Sequence, residues 1–276
     1  MIAALLTTAA LALSPQAADV QLAVQPRFTY DRRRPLALRL GVAQSQDGVV
    51  RQPLSFDAGH GRQAGYWTRR EGNGPWPVVL FSPGSDGGAR TQLPDADRLA
   101  HRGIASLTVG PPAMLLSCRA AADVRAYVDY VIGRRRALDL LAKLPGADAR
   151  RVAAVGFSFG ADVTATLAGV DHRLRGAVIQ SGRAHLSVPL GAYCHSTRYR
   201  RAYSVVDPAR YVGRSSGTSF LFQNGRRDAT SPQADVDALV RATNGPKDQR
   251  WYDAAHELDE QARDERDAWL VQLLAG

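Results

Sequence analysis

Hydrophobic positions change their spacing along the chain, and the changes separate regions of different predicted structure. Between Val49 and Thr68, two short segments, Val49 to Phe56 and Gln63 to Thr68, alternate partially between apolar and polar residues around the turn-prone Asp57-Ala58-Gly59-His60-Gly61. A period of two buries one face of a strand, so this stretch predicts an antiparallel hairpin. After Gly72-Asn73-Gly74-Pro75, the run Pro77-Val78-Val79-Leu80-Phe81 is continuously apolar, as a strand covered on both faces requires.

From that point strands and helices alternate. Asp95 to Arg102 predicts a helix stopped by Gly103, and Ile104 to Val109 predicts a buried strand ahead of Pro111-Pro112. Val124, Tyr127, Val128 and Val131 share one helical stripe, which Leu138 and Leu141 extend to the stop at Pro145-Gly146. Further strands are predicted at Val152 to Val155, Leu174 to Gln180, Phe220 to Gln223 and Arg250 to Tyr252. Ala161 to Leu167 reads as a helix, and an amphipathic helix through Trp269, Leu270 and Leu273 closes the chain. Repeated strand-helix units with short connections predict an α/β fold: a mostly parallel central sheet, helices on both faces, and an antiparallel N-terminal hairpin. Arg183 to Gly217 is too long for an ordinary connection of roughly 2 to 6 residues, so residues 183–217 are expected to form a small excursion over or beside a pocket.

Composition adjusts this picture in three places. Ile2 to Leu13 is uncharged and mostly apolar, and Ser14-Pro15-Gln16-Ala17-Ala18 follows it. The run is shorter than the roughly 20 residues of a membrane span, so residues 1–18 are expected to be a signal peptide, residues 19–276 one domain, and the protein exported with no stable membrane anchor. Cys118 and Cys194, the two cysteines, would then meet an oxidising compartment and form either one disulfide or two buried thiols; their separation does not suit a metal site. The net charge of +9 is carried by arginine, since Lys143 and Lys247 are the only lysines. Arg32-Arg33-Arg34 and Arg134-Arg135-Arg136 lack interleaved aromatics and read as solvated surface, so no nucleic-acid partner is expected.

The chemistry gathers around Gly156-Phe157-Ser158-Phe159-Gly160, which directly follows a buried strand and directly precedes a helix. That context is the one a G-x-S-x-G nucleophile elbow demands. Small residues two before and two after the serine let the strand and helix backbones pass closely, and the apex projects the hydroxyl above the carboxyl ends of the strands, where open α/β sheets place ligands. A serine hydroxyl needs a neutral imidazole to take its proton and a carboxylate to orient that imidazole.

With this motif in this context, the chain resembles the α/β-hydrolase superfamily, in particular its dienelactone-hydrolase-like and esterase-like or acyl-peptidase-like branches, over about residues 50 to 275. In that superfamily the acid follows a late strand and the histidine follows the last one. Here Phe220-Leu221-Phe222-Gln223 leads into Asn224-Gly225-Arg226-Arg227-Asp228, and Trp251-Tyr252-Asp253 into Ala254-Ala255-His256. The resemblance therefore implies Ser158 as nucleophile, Asp228 as acid and His256 as base. Asp253 is too close in sequence to His256 for the geometry that a separate loop provides. Histidines 60, 101, 172, 185 and 195 are expected at the surface or in packing, with His195 the reserve.

The resemblance also implies an oxyanion hole of two backbone N–H groups, from Phe159 and from the loop Ser82-Pro83-Gly84-Ser85-Asp86-Gly87-Gly88, where Ser85 matches best. Many relatives carry histidine where this loop has Pro83. Phe157, Tyr193 and Arg198, with the loop near Pro111 and Met114, are expected to shape the substrate pocket. The reading is a serine hydrolase that cleaves carboxylic esters through an acyl-enzyme, acts on a small-molecule or acyl-ester substrate and needs no cofactor or metal. Two other readings stay open: a peptidase or thioesterase on the same fold, and a non-catalytic relative that binds an anionic envelope polymer. The oligomeric state is not legible.

Overall fold

The computed structural model describes residues 25–111 and 116–275, so the leader expected at 1–18 and Met114 lie outside the described residues. Two short strands, β1 (Arg39–Leu40) and β2 (Gln44–Gln46), precede the hairpin of β3 (Val49–Asp57) and β4 (Arg62–Arg70). There follow β5 (Trp76–Ser82), α1 (Leu93–His101), β6 (Ala105–Val109), α2 (Ala120–Leu140), β7 (Ala147–Phe157) and α3 (Phe159–Val170). The second half contains β8 (Gly176–Gln180), α4 (Ser187–Tyr193), α5 (Thr197–Tyr203), β9 (Ser219–Gly225), α6 (Gln233–Ala242), β10 (Lys247–Tyr252) and α7 (Glu260–Leu274).

The strands form one mixed sheet in the order β1-β3-β4-β6-β5-β7-β8-β9-β10, with β2 paired to β3. The hairpin is antiparallel in the register Val49 to Arg70 and Asp57 to Arg62, and β4 joins β6 antiparallel. From β6 to β10 every pair is parallel. The continuously apolar strands have cores on both faces, because successive side chains on a strand point to opposite sides. Val78 and Leu80 of β5 join Ala137 and Leu138 of α2 and Ala161 and Ala165 of α3 in one core. Val79 and Phe81 join Leu99 of α1 and Leu270 and Leu274 of α7 in the other.

Two expectations need correction. The run Arg134-Arg135-Arg136 is not solvated surface: Arg134 is 0% and Arg136 1% exposed. Arg134 Nη2 donates to the carbonyls of Val109 and Gly110 while its guanidinium lies 4.5 Å from the Tyr130 ring centroid. Arg136 donates to the carbonyls of Asp57 and Pro35, and Arg135 pairs with Asp171 at 3.0 Å. These guanidiniums close loop backbones against α2, satisfying carbonyls that no ladder reaches. The closing helix is also less amphipathic than expected. Its buried face includes Arg266 and Asp267, and Arg266 bridges to Asp95 of α1 at 2.9 Å. Strands β1 and β2 carry too little apolar periodicity to have been expected, and helix α6, which buries Val236 and Leu239 on one face, is a further element beyond those expected.

The excursion at 183–217 is real. It holds α4 and α5, followed by three 3-10 turns at Ser204–Val206, Pro208–Arg210 and Val212–Arg214. Leu186, Tyr199, Tyr203, Val206 and Tyr211 pack on Tyr127, Tyr130, Val131 and Phe159, so a separate aromatic-rich core seats it on α2 and α3. A disulfide between Cys118 and Cys194, with Cα atoms 5.5 Å apart, ties the end of α4 to the segment that enters α2.

Candidate active site

The end of β7 and the start of α3 meet at Ser158, whose backbone has φ 53° and ψ −121°. A positive φ is costly for a residue with a Cβ and persists only where the surroundings enforce it. The two flanking glycines explain how the turn closes. A Cβ on Gly156 would come within 2.2 Å of the Gly160 carbonyl oxygen, and one on Gly160 within 2.0 Å of the Ser82 carbonyl oxygen. The Ser158 N–H donates to the Gln180 carbonyl at 2.9 Å, which pins the apex to β8.

His256 and Asp228 reach Ser158 from the loops after β10 and β9. His256 Nε2 lies 2.8 Å from Ser158 Oγ, and His256 Nδ1 lies 2.8 Å from Asp228 Oδ2. The other carboxylate oxygen, Oδ1, accepts the backbone N–H groups of Thr230 at 2.7 Å and Ser231 at 3.0 Å. The Asp228 side chain is fully buried and that of His256 is 18% exposed, so the carboxylate is held by protein while the imidazole edge meets the cavity. Two serines fix the surrounding loops: Ser181 Oγ donates to the His256 carbonyl and Ser231 Oγ to the Ser181 carbonyl. Asp253, by contrast, is solvent-facing and pairs with Arg227. His195 lies at the end of α4, and His185 pairs with Asp235 at 2.6 Å.

A cavity of about 520 Å³ opens above Ser158 and His256. Ser85, Phe157 and Phe159 line it, and the Phe157 ring sits 5.1 Å from the His256 ring, centroid to centroid. Phe159 is the first residue of α3, where a helix offers its N–H no intrahelical acceptor. The loop bearing Ser85 is held by a Gly87 N–H to Gly84 carbonyl turn and by the Tyr130 hydroxyl, which donates to the Pro83 carbonyl at 3.2 Å. Pro83 thus stands where a buried tyrosine anchors the loop.

Tyr193 and Arg198 do not line the cavity. Tyr193 is 69% exposed and Arg198 faces solvent. Tyr199 and Tyr203, one turn apart on α5, take its inward face, and the positions between them, Arg200 and Arg201, point outward with Arg198. The excursion contributes Arg183, Leu186, Leu190 and Tyr203 to the cavity instead, while Pro111 and Leu116 reach it from the segment after β6.

Behind Ser158, α3 places Asp162 in a pair that sequence reasoning missed. Asp162 is fully buried, and it accepts the Arg183 guanidinium at 2.6 Å through Oδ2 and the Arg183 N–H at 2.7 Å through Oδ1. Burial pushes its carboxyl up to about 6, against the pull of Arg183. An aspartate four residues after the elbow serine is the only trace in the sequence; its partner lies beyond the next strand, so no local pattern announces the pair. The described residues hold no group of three or more His, Cys, Asp or Glu side chains suited to a metal ion, and no helix long and apolar enough to cross a membrane.

The chain has relatives among known esterases. The chain is 34% identical over 127 residues to the esterase FrsA of Escherichia coli O157:H7, an alignment covering 46% of this chain and 30% of that protein. It therefore spans about a third of the length of the curated relatives it matches. Among solved structures, an acetyl xylan esterase from Paenibacillus sp. R4 superposes with a TM-score of 0.78 at 20% identity, covering 91% of this chain and 93% of that one. Acetyl xylan esterase 1 from Thermoanaerobacterium sp. JW/SL YS485 does so with a TM-score of 0.77 at 16% identity, covering 92% and 93%. At such identities these two report the fold, which is that of an α/β hydrolase. The model of the family described as "Esterase FrsA-like" matches residues 37–196, more than half of the chain, across the elbow and the loop of Ser85. The chain belongs to the FrsA-like esterase family.

Proposed function

We propose that this protein hydrolyses carboxylic esters through an acyl-enzyme intermediate, with Ser158 as nucleophile, His256 as general base and Asp228 as the carboxylate that orients it. The observation that carries this reading is the unbroken line of contacts from Asp228 through His256 to Ser158 Oγ, each of 2.8 Å, opening on the cavity.

Ser158 Oγ attacks the ester carbonyl carbon while His256 Nε2 takes the hydroxyl proton, and Asp228 holds the imidazolium by its Nδ1–H. The carbonyl oxygen becomes an oxyanion facing the N–H groups of Phe159 and Ser85. Collapse breaks the bond to the alcohol oxygen, which receives the proton from His256 and leaves. Water then gives a proton to His256 and attacks the acyl carbon; collapse returns the proton to Ser158 Oγ and frees the acid. The reaction consumes one ester and one water and needs no further reactant. A cavity of this size exceeds what an acetyl group fills, so longer acyl or alcohol limbs belong to the substrate range. Residence in an oxidising compartment is part of the same reading, and the Cys118–Cys194 bridge supports it.

The test is hydrolysis of p-nitrophenyl esters from acetate to octanoate by the protein and its Ser158→Ala variant. Loss of about 10³-fold or more in kcat with retained folding is expected. Equal rates in both proteins would remove Ser158 as nucleophile, and no rate in either would turn the reading toward amide or thioester substrates or toward binding without catalysis.

A further inference from the structure

Two polar groups that line the cavity have no hydrogen-bond partner among the described residues. Buried tyrosines elsewhere find partners for their hydroxyls: Tyr127 with the Asp162 carbonyl and Thr166, Tyr130 with the Pro83 carbonyl, Tyr199 with Asp123, Tyr211 with the Val205 carbonyl and Tyr252 with Glu265. Tyr203 is 1% exposed and lines the cavity, yet its hydroxyl has no partner among the described residues. Burial raises its pKa well above the ordinary tyrosine value, so the group stays a neutral donor. Arg183, 7% exposed, lines the same cavity; its Nε and Nη2 are committed to Asp162, and its Nη1 has no partner among the described residues. Both residues are more than nine-tenths buried and line the cavity, so an acceptor entering it finds two donors that no described protein group has taken up.

The charge around these donors defines what they take. Arg183 is neutralised by Asp162 at 2.6 Å. Three further carboxylates, of Asp86, Asp123 and Glu257, line the same cavity. Asp123 is buried and already accepts Ser117 and Tyr199, while Asp86 and Glu257 are exposed at the rim. An anionic substrate group would meet repulsion there, whereas a neutral oxygen would meet two donors between the apolar side chains of Phe159, Leu186 and Leu190.

We infer that the cavity selects esters whose buried limb carries a neutral hydrogen-bond-accepting oxygen, an ether, hydroxyl or keto group, read by the Tyr203 hydroxyl and Arg183 Nη1. This rests on the ester-hydrolase reading of Ser158. The experiment compares kcat/KM for p-nitrophenyl hexanoate with a set of esters of equal length in which an ether oxygen replaces each chain methylene in turn, and with one ending in a carboxylate. A parallel set varies the alcohol limb of acetate esters, and all rates are normalised to hydroxide-catalysed hydrolysis.

At least one ether isomer is expected to exceed its plain parent about 10-fold, and the carboxylate ester to rank last. Tyr203→Phe, which keeps the ring contacts with Tyr127 and Tyr199, should cut that preference about 10-fold, and Arg183→Lys, which keeps a cation beside Asp162, should also lower it. Tyr193→Phe, on the exposed side of the excursion, should leave the preference as it is. Ratios near one across both sets, a preference for the carboxylate, or a preference untouched by both Tyr203→Phe and Arg183→Lys would overturn the inference. Ester hydrolysis that survives Ser158→Ala unchanged would bring down the underlying reading instead, so the two failures are distinct.

Discussion

At the residue scale the proposed triad takes one carboxylate over a nearer one. Asp253 is three positions from His256 but points to solvent, while Asp228 arrives from a separate loop and has one oxygen on His256 and the other on two backbone N–H groups. Asp228→Asn should therefore lower kcat by about 10⁴-fold with KM little changed, because an amide cannot hold the imidazole in the tautomer that accepts the serine proton. Asp253→Asn should leave both constants near their original values; steady-state kinetics on one p-nitrophenyl ester checks the pair. The elbow glycines answer to packing. Gly156→Ala places a methyl 2.2 Å from the Gly160 carbonyl oxygen, with backbone on both sides unable to yield. The expected loss is about 1–3 kcal/mol or more of stability, read from urea unfolding, with activity falling as the apex shifts.

At the scale of elements, the helices are tied to each other by ion pairs that the apolar pattern does not encode. Asp171, at the end of α3, sits between Arg135 of α2 at 3.0 Å and Arg173 at 2.7 Å, and Arg173 also reaches Asp139 of α2 at 2.6 Å. Burial pushes the Asp171 carboxyl up, but hydrogen bonds and charge from Arg173 and Arg135 outweigh it and hold the group below its ordinary value of 3.8. Its contribution is therefore present above that value and is lost as pH falls through the lower folded one. Asp171→Asn should cost on the order of 3 kcal/mol at pH 7, since two guanidiniums lose their shared partner. The gap to the parent protein should close below about pH 4 in unfolding curves taken across pH. A constant gap would show that the charge of Asp171 is irrelevant to the clamp.

At the scale of the whole molecule, the excursion is what converts the open carboxyl end of the sheet into a cavity, and a disulfide ties it to the segment entering α2. The bridge spans a sequence separation of 76 residues, from the entry of α2 to the end of α4. In the chain-entropy account, closing a loop of that size stabilises the fold by on the order of 4 kcal/mol. Reduction, or Cys118→Ser with Cys194→Ser, should lower the thermal midpoint measurably. It should also depress ester hydrolysis more for long substrates than for acetate, because Leu186, Leu190 and Tyr203 lose their support. Scanning calorimetry with and without reductant, together with the ester series, reads both effects.

The sequence alone determined whatever follows from local pattern. Continuous apolar runs made Val78 to Phe81 and Ala177 to Ile179 parts of strands buried on both faces. The glycines around Ser158 made a sharp strand-to-helix turn, and the order of strands put Asp228 and His256 on loops at the same end of the sheet. Those signals are legible because burial and backbone crowding act within a few residues. Tertiary structure alone decided what depends on partners far apart in sequence. Arg134, Arg136 and Arg266 look like surface charge until loop carbonyls and carboxylates from other elements surround them. Asp162 meets Arg183 across β8, and Tyr203 rather than Tyr193 turns inward because its position on α5 faces α2 and α3. A polar side chain is buried or exposed according to the partner it finds, and that partner is set by the folded chain and not by its neighbours in sequence.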